Sequence, residues 1–133
     1  MITPERIAAY INSLDKELPP ELYNLEKEAL ENMVPIIRKE IQGVIRFLLT
    51  IKQPKRILEV GTAIGFSALF MSEYSPHDCK ITTIEKVPMR LVEARKNLKS
   101  EAFPHRNKIK LLEGEAMEIL NNLANANETY DFI

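Results

Sequence analysis

Apolar positions along this chain keep a helical period up to about Lys52 and then change rhythm. Thr3-Pro4 predicts a helix start with proline in the first turn, followed by Ile7, Ile11 and Leu14 on one face. Pro19-Pro20 ends that helix and opens a second, with Leu22, Leu25, Ala29 and Met33 at helical spacing. Pro35 predicts the start of a third, carrying Ile36, Ile37, Ile41, Val44, Ile45, Leu48 and Leu49 to about Lys52. Gln53-Pro54 breaks the pattern. Beyond it, short apolar runs alternate with amphipathic stretches. Strands are predicted at Ile57–Val60, Lys80–Glu85 and Lys108–Leu112, and helices at about Gly65–Tyr74, Pro88–Lys99 and Glu115–Ala124. Such alternation argues for βαβ units and a parallel sheet.

The expected fold is therefore α/β, a Rossmann-like parallel sheet flanked by helices. Residues 1–53 form a helical cap, and residues 54–133 form a ligand-binding core within the same domain. Tyr130-Asp131-Phe132-Ile133 reads as the opening of a further, central strand. Three strands and a stub would leave a hydrophobic sheet edge unpaired. The sequence is thus expected to be a fragment of a longer protein, with sheet completion by a partner as the alternative.

Composition narrows the picture only modestly. At 133 residues the chain suits one domain with a real core. Its net charge of −1 gives no general push toward nucleic acid or anionic membrane. Lys52, Lys55, Arg56, Arg90, Arg95, Lys96 and Lys99 could line a local basic surface for RNA, although a solvated helix face is the commoner cause. Cys79 has no cysteine to pair with, which fits a reducing compartment, and it is expected to be half-buried at a strand start. No signal-peptide pattern opens the chain, and no apolar stretch approaches membrane-spanning length. A soluble, cytoplasmic protein without a membrane partner is expected. His77 and His105 sit beside prolines without metal-ligand spacing, and Asp131 reads as a structural acid.

The chemistry concentrates in Arg56-Ile57-Leu58-Glu59-Val60-Gly61-Thr62-Ala63-Ile64-Gly65-Phe66-Ser67, a strand, a glycine-bearing turn and a helix start. A dinucleotide fingerprint needs glycines at the first, third and sixth places. Counted from Gly61, the later places hold Ala63 and Phe66; with Gly61 as the middle glycine, Glu59 and Ile64 occupy the others. A phosphate-binding loop fails too, because Phe66-Ser67-Ala68 stands where Gly-Lys-Ser/Thr is required. What remains is Glu59, Gly61 and Gly65. A carboxylate there repels pyrophosphate but suits a cofactor with a cationic amino-acid tail, and small residues let backbone approach it closely. Glu85, at the carboxyl end of the second strand, is placed to accept both hydroxyls of a ribose.

These residues resemble S-adenosylmethionine-dependent methyltransferases. The run from Ile57 to Ala68 is similar to the first motif of the cation-dependent O-methyltransferases, which include the catechol and caffeoyl-coenzyme A enzymes. Typical members read Leu-Glu-hydrophobic-Gly-Thr-x-x-Gly-Tyr-Ser-Ala, so Phe66 in place of tyrosine is the departure. Ile84-Glu85 matches the ribose-binding acid, and Glu113-Gly114-Glu115-Ala116 matches a segment usually Gly-Asp-Ala. Val34-Pro35-Ile36-Ile37 and Lys52-Gln53-Pro54-Lys55-Arg56 resemble a bacterial branch that methylates 5-hydroxyuridine in tRNA. The likeness runs from about Ile7 to Ile133.

The resemblance implies roles residue by residue. Glu59 and Gly61 shape the wall near the methionine tail, with Thr62, Ala63, Gly65 and Phe66 around it. Ser67 serves the cofactor carboxylate at a helix N-terminus or caps that helix, and both roles are compatible. Glu85 holds the ribose. Glu115 and Ala116 flank the adenine, Glu115 being otherwise an ordinary first-turn acid. Ile37 packs over the methionine portion or belongs to the core. The family's magnesium ligands and nearby lysine follow the strand that begins at Tyr130, so no catalytic or metal residue is expected in this chain. The implied parent is a magnesium-dependent O-methyltransferase, dimeric through its N-terminal helices, with tRNA hydroxyuridine as first acceptor. A catechol-like or coenzyme-A-linked phenol is the second. A non-catalytic binding module is the alternative of a different class.

Overall fold

The computed structural model describes residues 4–133, and Thr3, read above as a helix cap, lies outside them. Three helices lead: α1 Glu5–Ser13, α2 Pro20–Glu31 and α3 Lys39–Lys52. The remainder alternates as β1 Arg56–Val60, α4 Phe66–Tyr74, β2 Lys80–Glu85, α5 Pro88–Lys99, β3 Ile109–Glu113 and α6 Ala116–Asn125. Both strand pairs are parallel, in the order β1-β2-β3. Phe132 makes an isolated parallel bridge to Ile57, so the stub read at Tyr130–Ile133 meets the free side of β1. This is the Rossmann-like α/β arrangement expected from the alternation.

Strand side chains alternate between sheet faces. Ile57 and Glu59 of β1 therefore share a face with Ile81, Thr83 and Glu85 of β2. The helix α4 packs here, with Phe66, Ala68, Leu69, Phe70, Met71 and Ser72 all buried, so it is apolar around most of its circumference. Leu22, Leu25 and Ala29 of α2 and Leu49 of α3 close over it from outside. The N-terminal helices are thus continuous with the core of the sheet.

Three expectations about the secondary-structure elements change. Pro35 does not open α3, which starts at Lys39; residues 34–38 run without helix. Proline disfavours helical geometry in the residue before it. The extended path lets Ile36 and Ile37 pack on the core while the chain crosses between two helices. Met33 is not on the α2 stripe: it sits past the helix end with φ 53° and is 88% exposed. The third strand starts at Ile109, because Lys108 lies in a short 3₁₀ turn, Arg106–Lys108.

Lys108 is buried, and its Nζ donates to the carbonyls of Ser72 at 2.7 Å and Ser75 at 3.1 Å. These carbonyls close the last turn of α4, where the helix dipole favours a cation. Cys79 beside it is fully buried rather than half-buried, and burial raises its thiol pKa. Asp131 is a structural acid as read: its carboxylate accepts the amides of Lys55 at 3.0 Å and Arg56 at 3.1 Å. Four of the seven cations considered for a basic surface are paired within the chain: Lys55 with Asp78, Arg56 with Glu128, Arg90 with Glu93 and Arg95 with Glu113.

Candidate functional site

The carboxyl ends of parallel strands converge where the chain turns into the next helix, which is where open α/β sheets bind ligands. In the turn after β1, the amides of Gly61 and Thr62 both donate to the Ile84 carbonyl, at 2.9 and 3.1 Å. The Gly65 amide donates to the Thr62 carbonyl at 2.8 Å, which closes the turn. Gly61 and Gly65 have φ of 99° and 90°, values that favour glycine. Ala63 also has positive φ, 48°, a strained choice for a residue with a side chain. Its amide donates to Glu85 Oε2 at 2.8 Å, so the strained turn is tied to the tip of β2.

Glu85 gathers three backbone donors. Besides Ala63, the amides of Lys86 and Val87 donate to Oε1, each at 2.9 Å. The backbone carbonyl of Glu85 is also committed, since Gly114 N–H donates to it at 2.9 Å. Gly61, Glu85, Gly114, Glu115 and Ala116, with Val60 and Val87, line one cleft of about 170 Å³. A Cβ added to Gly61 would meet nothing within 4 Å. Protein packing leaves that side of Gly61 open, and a side chain there would project at the cleft wall.

Glu59 lies on the same face, one strand from Thr83 in register. Its carboxylate accepts from Ser67 Oγ on Oε1 and from Thr83 Oγ1 on Oε2, the latter at 2.5 Å. Burial raises its pKa, and the two hydroxyl donors pull the other way. Among the described residues no lysine, arginine or histidine pairs with it. Hydroxyl dipoles alone therefore support this carboxylate among the described residues.

The structure brings Gly61, Glu85, Glu115 and Ala116 to one cleft and sets Glu59, Thr62, Ala63, Gly65 and Ser67 behind or beside it. Ser67 is not the helix cap: Gly65 holds that position, and Ser67 lies within the first turn with its hydroxyl on Glu59. Phe66 and Thr62 are each 1% exposed, and neither lines the cleft. Glu115 precedes α6 and pairs with Lys86 at 2.9 Å across the mouth of the cleft; that hydrogen bond lowers its pKa. Ile37 does not line the cleft and packs against the core. Sequence reasoning missed Thr83 and Lys86. Thr83 had a signal: it is the polar residue between Ile81 and Glu85 on the buried face of β2.

A wider groove of about 320 Å³ lies between α3 and the end of α1 with Leu14 and Asp15 after it; its carboxylate Asp15 is paired with Arg46, and no glycine turn faces it. Among the described residues, no group of three or more His, Cys, Asp or Glu side chains could hold a metal ion. No described helix is long and apolar enough to cross a membrane.

Comparison with known proteins agrees with this geometry. The sequence profile of an O-methyltransferase family matches residues 9–133. A methyltransferase from Podospora anserina, solved with S-adenosylhomocysteine bound, superposes with a TM-score of 0.80 at 26% identity, over 92% of this chain and 56% of that one. A catechol O-methyltransferase of Niastella koreensis is 29% identical over 79 residues, 59% of this chain and 35% of the relative. A tRNA1(Val) (adenine(37)-N6)-methyltransferase of Histophilus somni is 33% identical over 63 residues, 47% of this chain and 26% of its own length. A parallel α/β sheet with an acid-flanked glycine turn at its strand ends defines a cofactor-binding methyltransferase fold. The chain belongs to the O-methyltransferase family. It spans about half the length of the Podospora structure and about a third or less of these curated relatives.

Proposed function

We propose that the protein is the S-adenosylmethionine-binding part of an O-methyltransferase whose acceptor is a tRNA 5-hydroxyuridine. The observation that carries the cofactor reading is the convergence of Glu59, the Gly61 turn and Glu85 at adjacent strand ends. Glu85 would take the ribose hydroxyls by yielding part of its hold on backbone amides. Glu115 and Ala116 would border the adenine. The Gly61 backbone and Glu59 would receive the methionine end, with the amides opening α4 available to its carboxylate. Bound there, S-adenosylmethionine supplies a methyl group on a sulfonium, open to in-line displacement by an acceptor oxygen.

The acceptor reading rests on the Val34–Ile37 and Lys52–Arg56 segments. The ion pairs of Lys55, Arg56, Arg90 and Arg95 leave less free positive charge for RNA than the sequence suggested. A catechol-like phenol is therefore the second reading, favoured by the likeness to the Niastella catechol O-methyltransferase. A homodimer is also proposed. Supporting it, Tyr10 of α1, Leu14 just after it, and Phe47 and Ile51 of α3 are more than half exposed.

Calorimetry with S-adenosylmethionine and NAD tests the cofactor, and tighter NAD binding would reject it. Transfer of labelled methyl to hydroxyuridine-containing tRNA or to catechol, with and without magnesium, tests the acceptor and the metal expectation. Methylation of catechol but not tRNA would select the second reading. Cofactor binding by the whole protein without transfer to any hydroxyl would favour a binding module.

A further inference from the structure

We infer that Thr83 is a positioning residue for Glu59, the last member of a one-way hydroxyl relay that aims the carboxylate at the cofactor. The inference rests on the cofactor reading above and adds to it how the acid is held. A threonine hydroxyl carries one proton. Thr83 Oγ1 lies 2.5 Å from Glu59 Oε2, which has no proton to give when ionised, so Thr83 donates there. The contact between Thr62 Oγ1 and Thr83 Oγ1, 2.7 Å, must then run from Thr62 to Thr83. Ser67 donates to the other carboxylate oxygen from the first turn of α4. Each hydroxyl proton thus points, directly or in sequence, at Glu59.

Two donors, one per oxygen and from different elements, define the carboxylate plane as a single donor would not. Thr83 is 0% exposed and Thr62 1%, so neither side chain reaches a ligand and both act through Glu59. A valine would fill the Thr83 position with nearly the same shape and suit a strand interior better. The hydroxyl is the difference.

Among the described residues no cation forms an ion pair with Glu59, and the other acid of this sheet face is Glu85. Glu85, the acid β2 brings nearest, is occupied by the amides of Ala63, Lys86 and Val87. Lys80 and Arg56 sit at the opposite ends of their strands, with Arg56 on Glu128. The charged residue of α4 is Glu73, near its far end beside His105. The turn from Gly61 to Gly65 carries no ionisable side chain. The hydroxyls of Ser67 and Thr83 thus oppose burial in keeping Glu59 ionised, and Thr62 supports the second of them.

Calorimetric titration of the protein with S-adenosylmethionine across acid to neutral pH tests this, using Thr83→Val, Thr83→Ser and Thr62→Val. Thr83→Val should weaken binding about tenfold, the worth of a hydrogen bond to a charged group. It should also move the pH at which binding fades upward, because a carboxylate that loses a donor protonates more readily. Thr83→Ser should restore both affinity and profile, and Thr62→Val should show a smaller shift in the same direction. Thr83→Val with unchanged affinity and pH profile would overturn the relay alone. Equal losses in Thr83→Val and Thr83→Ser with an unmoved profile would mark a packing role and also overturn it. Should Thr83→Val fail to fold, an unmoved profile in Thr62→Val decides against the relay. If the unsubstituted protein binds no S-adenosylmethionine, the cofactor reading itself falls and the relay with it.

Discussion

The amide of Ala63 and the carboxylate of Glu85 meet at 2.8 Å, which joins the turn after β1 to the tip of β2. The residue proposed to hold the ribose is thereby also the residue that holds the turn proposed to hold the methionine. Binding and local folding share one side chain.

Glu85→Ala should therefore act twice. Loss of charged hydrogen bonds to the ligand should weaken S-adenosylmethionine by roughly 1–3 kcal/mol. Three backbone amides also lose their acceptor, so the melting temperature should fall. Calorimetry and thermal melting of the same preparation separate the effects. Unchanged affinity beside a lowered melting temperature would leave Glu85 as a structural residue.

Glu59→Gln should do the reverse on stability. Burial holds the Glu59 pKa above the ordinary carboxylate value. By linkage, a raised folded-state pKa favours folding at low pH, and that advantage is lost as pH rises through it. At neutral pH the ionised carboxylate is thus a cost that glutamine relieves. The variant should melt higher than the parent at pH near 7, with the gap closing in acid, while its affinity for the cationic cofactor falls. A lower melting temperature at neutral pH would contradict this.

Gly61→Ala separates conformation from space. The open side of Gly61 admits a methyl group, so the stability loss should be the backbone strain of positive φ, about 1–2 kcal/mol. Cofactor affinity should fall by more than stability does, because the methyl group stands at the cleft wall. Equal stability loss with full affinity, by chemical denaturation and calorimetry, would move the ligand away from Gly61.

Lys108→Met keeps much of the buried stem and removes the ammonium. The carbonyls of Ser72 and Ser75 then lose their shared donor, which should cost about 1–3 kcal/mol in denaturant unfolding. A variant as stable as the parent would show that α4 ends well without this cation.

Asp131→Asn tests the contact of the last residues with β1. The amides of Lys55 and Arg56 hold the Asp131 carboxyl below its ordinary pKa. A depressed carboxyl stabilises the fold above the unfolded value, and the contribution is lost as pH falls through the folded one. The variant should melt lower at neutral pH, and the difference should vanish in acid. A difference that persists below the carboxylate range would assign the effect to packing.

Much of this architecture was legible in the order of residues. Periodicity separated the helical first third from the alternating remainder, and β2 and α5 start and stop where their patterns do, at Lys80–Glu85 and Pro88–Lys99. Local signals decide such boundaries: a proline opening a helix, a run of β-branched residues between turns. The Gly61 turn was equally legible, because its excluded alternatives depend on spacing alone. Where distant packing decides, the pattern misled. Ile37 has helical spacing with Ile41, yet Ile36 and Ile37 lie in a non-helical crossing where both pack against the core.

What the sequence determined by itself is the list of participants: the turn, Glu59, Glu85, and the cofactor class they imply. Only the tertiary structure decided their attachments. Strand register set Glu59 beside Thr83, packing of α4 brought Ser67 onto Glu59, and the turn after β1 put Ala63 on Glu85. These contacts join residues far apart in the chain, and no local period encodes which hydroxyl will face which carboxylate. A sequence names an acid at a strand end; the folded sheet decides which donors hold it and where it points.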